Sequence, residues 1–184
     1  NLQATLAITP PPNVYAPLST LNGESGSFTT DGNNYYFLDA VVLSLVDRVN
    51  NPPTVALYAD GGSNPTGTAL ETLTSPVSLG NGLVSYTASG TQLLYPNTTY
   101  WIVASGTDLT QNAWNLTADF TETGTWTIGN GNAFTQNGGA SWQPTPVFAP
   151  KFSVSGVVVP EPSLFIPALA GAAAFLAACK RRLA

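Results

Sequence analysis

The chain has 184 residues, only 8% of them charged, with no His and a single Cys at position 179. That excludes His-based triads, and within residues 1–159 it also excludes thiol nucleophiles, Cys/His zinc sites and a disulfide framework. Before residue 160 two bases, Arg48 and Lys151, face nine acids, a formal charge of −7 that excludes nucleic acid as a partner and electrostatic attraction to an anionic membrane.

Soluble proteins usually carry roughly 25% charged residues, so the low charge, together with abundant Gly, Pro, Asn, Ser and Thr, points to an extracytoplasmic β-protein with many turns. The absence of Met and the start at Asn1 are read as removal of a secretory leader, with an N-terminal truncation of the sequence as the alternative. The roughly 155 to 160 residues before the C-terminal segment suit one domain with one core.

Residues 1–24, with Pro10-Pro11-Pro12 and Pro17 among polar residues, are expected to be an extended arm without strand or helix. From residue 25 to 159, short β-branched and aromatic runs alternate with Gly, Asn, Asp and Pro clusters. This predicts an all-β domain, an antiparallel β-sandwich or jelly roll of roughly nine or ten strands with no helix. Tyr35 to Val46 is the longest run, with Val41, Leu43 and Leu45 on one face and Leu38, Ala40, Val42 and Val46 on the other, so it is expected to be central and covered on both sides.

A strand with Val55, Leu57 and Ala59 on one side follows, then a Gly-, Asn- and Pro-rich turn and a return over Ala69 to Leu73. Leu83 to Thr87 and Gln92 to Tyr95 are shorter strands. Tyr100, Ile102 and Ala104 oppose Trp101 and Val103 in another buried strand. Weaker runs lie near Ala113 to Leu116, Thr125 to Ile128 and Ala133 to Gln136, and Lys151 to Val158 closes the domain with Phe152 and Val154 facing in.

Candidate chemistry is sparse. Nothing in the sequence pairs the nine acids for glycoside cleavage. Asp31-Gly32-Asn33-Asn34 and Asp60-Gly61-Gly62-Ser63-Asn64 put oxygen ligands in turns that calcium accepts, yet both lack the ligand number of a cation loop and read better as Asx turns. No metal and no cofactor are implied. Trp101, Trp114, Trp126 and Trp142, with Tyr35, Tyr36 and Tyr100, could stack on sugar rings; Trp101 is expected in the core, and Trp126 and Trp142, near Gly-rich loops, are the expected exposed pair.

Residues 160–184 differ from all this. Leu164 to Cys179 is 16 residues without a charge, about 24 Å as a helix against a hydrocarbon core of roughly 30 Å, with Lys180, Arg181 and Arg182 placed to snorkel. Leu164, Phe165, Ile166, Leu169, Phe175 and Leu176 would meet lipid, and Ala170, Gly171 and Ala174 would permit close helix packing. The basic end places the C-terminus in the cytoplasm and the β-domain outside the cytoplasmic membrane.

The order Val159-Pro160-Glu161-Pro162-Ser163, apolar run, basic end resembles the PEP-CTERM sorting signal of Gram-negative bacteria. That resemblance covers about 25 residues and implies an exosortase as processing partner, with this chain its substrate. "VALYAD..GG.NPTGT", then "YPNTTYWIV" and an end rich in Trp, Gly and Ser, resembles the choice-of-anchor domains, in particular the R type, over roughly residues 26–155. This second resemblance implies a β-rich surface domain defined by no enzymatic activity. The resulting expectation is a non-enzymatic structural or interaction protein, single-pass in the cytoplasmic membrane or released to the cell surface after processing. An accessory subunit of a larger membrane complex that keeps its tail, or a carbohydrate-binding surface module, are the alternatives.

Overall fold

The computed structural model describes residues 2–6, 14–47, 52–76, 82–106 and 112–160. These residues form fifteen strands and no helix, with every strand pair antiparallel. Nine strands make one sheet: β1 (Leu2–Leu6), β2 (Tyr15–Leu18), β4 (Tyr36–Asp47), β7 (Gly82–Thr87), β8 (Leu93–Leu94), β10 (Asn112–Thr117), β11 (Glu122–Gly124), β14 (Ala149–Pro150) and β15 (Phe152–Val158). Six make the other: β3 (Gly23–Thr29), β5 (Thr54–Asp60), β6 (Pro65–Thr72), β9 (Thr99–Ser105), β12 (Thr127–Thr135) and β13 (Gln143–Thr145), in the order β13-β12-β3-β9-β5-β6.

The long run predicted around Tyr35 to Val46 becomes β4, the hub of the first sheet. Along one edge it pairs with β15 and then β10, and along the other with β8 and then β7. The alternation read from sequence breaks once within it. Ser155 pairs with Ala40 but Gly156 with Leu38, so Asp39 is an extra residue in the ladder. This bulge turns Leu38 to the same buried face as Val41, Leu43 and Leu45, all at most 1% exposed. The opposite face, with Ala40, Val42 and Val46, is only half-buried, so the strand is central but fully covered on one side alone.

Inward side chains of the two sheets form one core. Leu38, Val41, Leu43, Tyr86, Phe152 and Val154 come from the first sheet, and Phe28, Val55, Leu57, Tyr100, Ile102 and Ala104 from the second. Trp126 lies in this core at 1% exposure, which corrects the expectation that it is exposed. Its indole stacks on Phe28 with centroids 5.5 Å apart at 11° and meets Tyr36 edge-on at 4.9 Å. The Gly-rich neighbourhood suggests a loop tip, but Thr125 and Trp126 form the bend that joins β11 to β12, and that bend turns the ring inward between the sheets.

Two close approaches hold the Trp126 region and the sheet interface. A Cβ on Gly156 would lie 2.8 Å from the Trp126 ring, and one on Gly26 would lie 2.7 Å from the Phe152 ring, so both aromatic rings rest directly on backbone.

The first 24 residues also differ from expectation, because their described part is not a strandless arm. β1 pairs with β15 and β11, β2 pairs with β10, and β3 begins at Gly23. Pro17 disguises β2 in the sequence, and it is tolerated because, among the described residues, this strand pairs on one side only. β3 is disguised because Gly-Glu-Ser-Gly-Ser has no apolar alternation, although the strand lies between β12 and β9. The weak runs at Thr125 to Ile128 and Ala133 to Gln136 prove to be the two ends of the single strand β12.

Replacing Trp126 with Ala is expected to lower unfolding free energy by about 3–5 kcal/mol, read from urea denaturation midpoints, because the ring is buried and packed between the two sheets.

Candidate functional site

The outward face of the second sheet carries a cleft lined by aromatic and small polar side chains. Alternation along β9 sends Tyr100, Ile102 and Ala104 into the core cluster and leaves Trp101 and Val103 on the opposite, outward face, so Trp101 is not the core residue the sequence reading expects. Trp101 is buried, at 6% exposure, but stands outside the central core cluster, and its indole N–H donates to Asp60 Oδ1 at 2.7 Å. Tyr58 is its cross-strand partner on β5 and shares that outward face.

Beside Tyr58 the edge of the sheet is deformed. Leu57 pairs with Glu71 and Ala59 with Thr66, so Tyr58 alone stands opposite the four residues from Gly67 to Leu70. Gly67 has φ +73°, which starts the excursion of β6 away from its partner, and a Cβ there would meet open space. The excursion forms one wall of a cleft of 550 Å³, and the turn carrying Trp142 forms the other.

That turn is held by its own hydrogen bonds. Thr135 Oγ1 donates to Asn137 Oδ1 at 2.8 Å and accepts from the Gly139 amide at 3.0 Å. The Ser141 amide donates to Asn137 Oδ1 at 2.9 Å, and the Gly138 amide to the Leu21 carbonyl at 2.9 Å. Trp142 emerges half-buried, its ring 3.6 Å from where a Cβ on Gly23 would stand. Tyr58 and Trp142 also line an adjoining cavity of 100 Å³, so the cleft continues along the sheet towards Val103. No charged side chain lines either space among the described residues.

A buried acid lies elsewhere on β3. Glu24 is 4% exposed and accepts a hydrogen bond from Asn132 Nδ2, and Asn132 Oδ1 in turn accepts from Thr145 Oγ1. Burial pushes the Glu24 carboxyl up to about 8, against the opposing pull of the Asn132 amide, so it is protonated at neutral pH. The turn side chains considered for calcium have partners within the fold. Asp60 accepts from Trp101, as above, and Asp31 Oδ1 accepts from the Asn33 and Asn34 amides at 3.0 and 3.3 Å and Oδ2 from the Tyr36 hydroxyl. Burial raises the Asp31 carboxyl, but these donors outweigh it and hold the group below its usual value.

Of the two tryptophans singled out in sequence, Trp142 lines the cleft and Trp126 does not. Trp114, Tyr36 and Tyr100 are core residues, whereas Tyr35 is 48% exposed and meets the exposed Tyr95 edge-on at 5.6 Å. Tyr58 is not singled out by the sequence reading, although the alternation that sends Val55 and Leu57 inward already turns it out. Val159 donates its amide to the Tyr35 carbonyl at 2.9 Å, and Pro160 is exposed. Glu161, Pro162, Ser163, the apolar run and Lys180, Arg181 and Arg182 lie outside the described residues.

No protein-family model matches the chain, and no curated protein matches it. The two resemblances therefore rest on the quoted motifs alone.

Glu24 sets a pH dependence whose sign is fixed by its raised value. A carboxyl that moves from 4.5 unfolded to about 8 folded holds its proton more tightly in the folded state, so its contribution is complete below the unfolded value and is lost as pH rises towards 8. Glu24→Gln is expected to remove this loss and to be the more stable protein above pH 8, measured as urea midpoints at pH 5, 7 and 9.

Proposed function

We propose that this protein is a non-enzymatic extracytoplasmic β-sandwich, held at or sorted through the cytoplasmic membrane by its C-terminal segment and acting as a structural or interaction module. One observation supports this reading most directly. Among the described residues, four exposed large apolar or aromatic side chains gather where the chain leaves the domain: Tyr35, Tyr95, Val157 and Val158, between 41% and 54% exposed. The pairings Val158↔Tyr36 and Tyr36↔Leu94 set the end of β15, the start of β4 and the end of β8 side by side.

Tyrosines with an apolar body and a polar tip suit the headgroup region of a bilayer. The Val159 bond to Tyr35 fastens the chain up to the sorting motif, so only a short stretch of sequence separates the domain from the segment Leu164 to Cys179. The single-pass helix, the cytoplasmic basic end and recognition by an exosortase belong to this proposal.

Intact mass of the protein taken gently from its native membrane tests it. A mass that includes residues 160–184 in the membrane fraction is expected where the tail is kept, and a product ending near Pro160-Glu161-Pro162 outside the membrane where it is processed. Full-length protein free in the cytoplasm would sink the reading.

A further inference from the structure

We infer that the cleft between Tyr58 and Trp142 is a binding site for a neutral polysaccharide. Pyranose rings present C–H faces that stack on aromatic rings, and hydroxyls that pair with small polar side chains and backbone amides. The cleft offers both: Tyr58 and Trp142 line it, with Thr66, Thr68, Asn64 and Ser141 beside them.

Charge and shape narrow the ligand further. With no cationic side chain in the cleft and −7 on residues 1–159, an anionic polymer would be repelled. The 550 Å³ lies within the roughly 300–1,000 Å³ typical of small-ligand clefts, and the adjoining cavity past Trp142 lengthens it along the sheet. A stretch of glycan chain fits such a trough better than one terminal sugar.

The site is also preorganised, which distinguishes it from an accidental gap. The Thr135-to-Ser141 turn is fixed by internal hydrogen bonds before any ligand arrives, and the β6 excursion is fixed by ladder pairs on both sides. Little ordering is left to oppose binding.

The test uses the full chain in a detergent without sugar headgroups, titrated calorimetrically with soluble neutral glucan, xylan, mannan and galactan, with alginate as the anionic control. At least one neutral polymer is expected to bind, with affinity insensitive to salt. Trp142→Ala and Tyr58→Ala should each weaken it by about tenfold or more. Thr68→Arg, at an exposed position on the cleft wall, should block binding while leaving the thermal midpoint unchanged. Failure of all four neutral polymers to bind, tighter binding of alginate, or binding indifferent to these substitutions would overturn the proposal. None of these results depends on whether the tail anchors the protein, so this inference and the membrane reading fail separately.

Discussion

Trp126 sits where the two sheets meet, and its contacts set the spacing of everything around it. One face lies against Phe28, which in turn stacks on Tyr100 at 5.8 Å, while Tyr36 from the opposite sheet meets its edge. The ring fits only because Gly156 withholds a side chain at the bulge between β15 and β4. Bulge, glycine and indole are thus one packing arrangement, and a change to any of them moves the other two.

The outward cleft depends on that rigid interior. Tyr58 can face outward because Leu57 and Val55 are locked inward, fully buried in the shared core. Gly23 seats Trp142 from the outward side, at the start of a strand whose Gly26 receives Phe152. Strand β3, poor in apolar residues, is the thin partition that lets large aromatic rings pack on it.

The all-β character and the inward Phe152 and Val154 were legible in the sequence because the alternation along their run is clean. What escaped was carried by tertiary context. Leu38 changes face through a bulge whose partner residues lie more than a hundred positions away, and the polar β3 becomes central only by pairing with strands distant in sequence. Trp126 and Trp142 look alike locally, each close to glycines, and only the opposing sheet decides that one is core and the other lines a cleft. Tyr58 was within reach of the alternation argument; the four-residue excursion that makes it useful was not.

The edges of the second sheet bear on how this protein behaves among copies of itself. A straight edge strand presents unpaired amides and carbonyls as a template on which another chain can add, the first step of edge-to-edge aggregation. Here β13 is only three residues long and includes Pro144, which has no amide hydrogen to offer. At the other edge, β6 sets the four residues Gly67 to Leu70 against the single Tyr58. The deformation that opens the cleft therefore also denies a passing strand a continuous ladder on which to add.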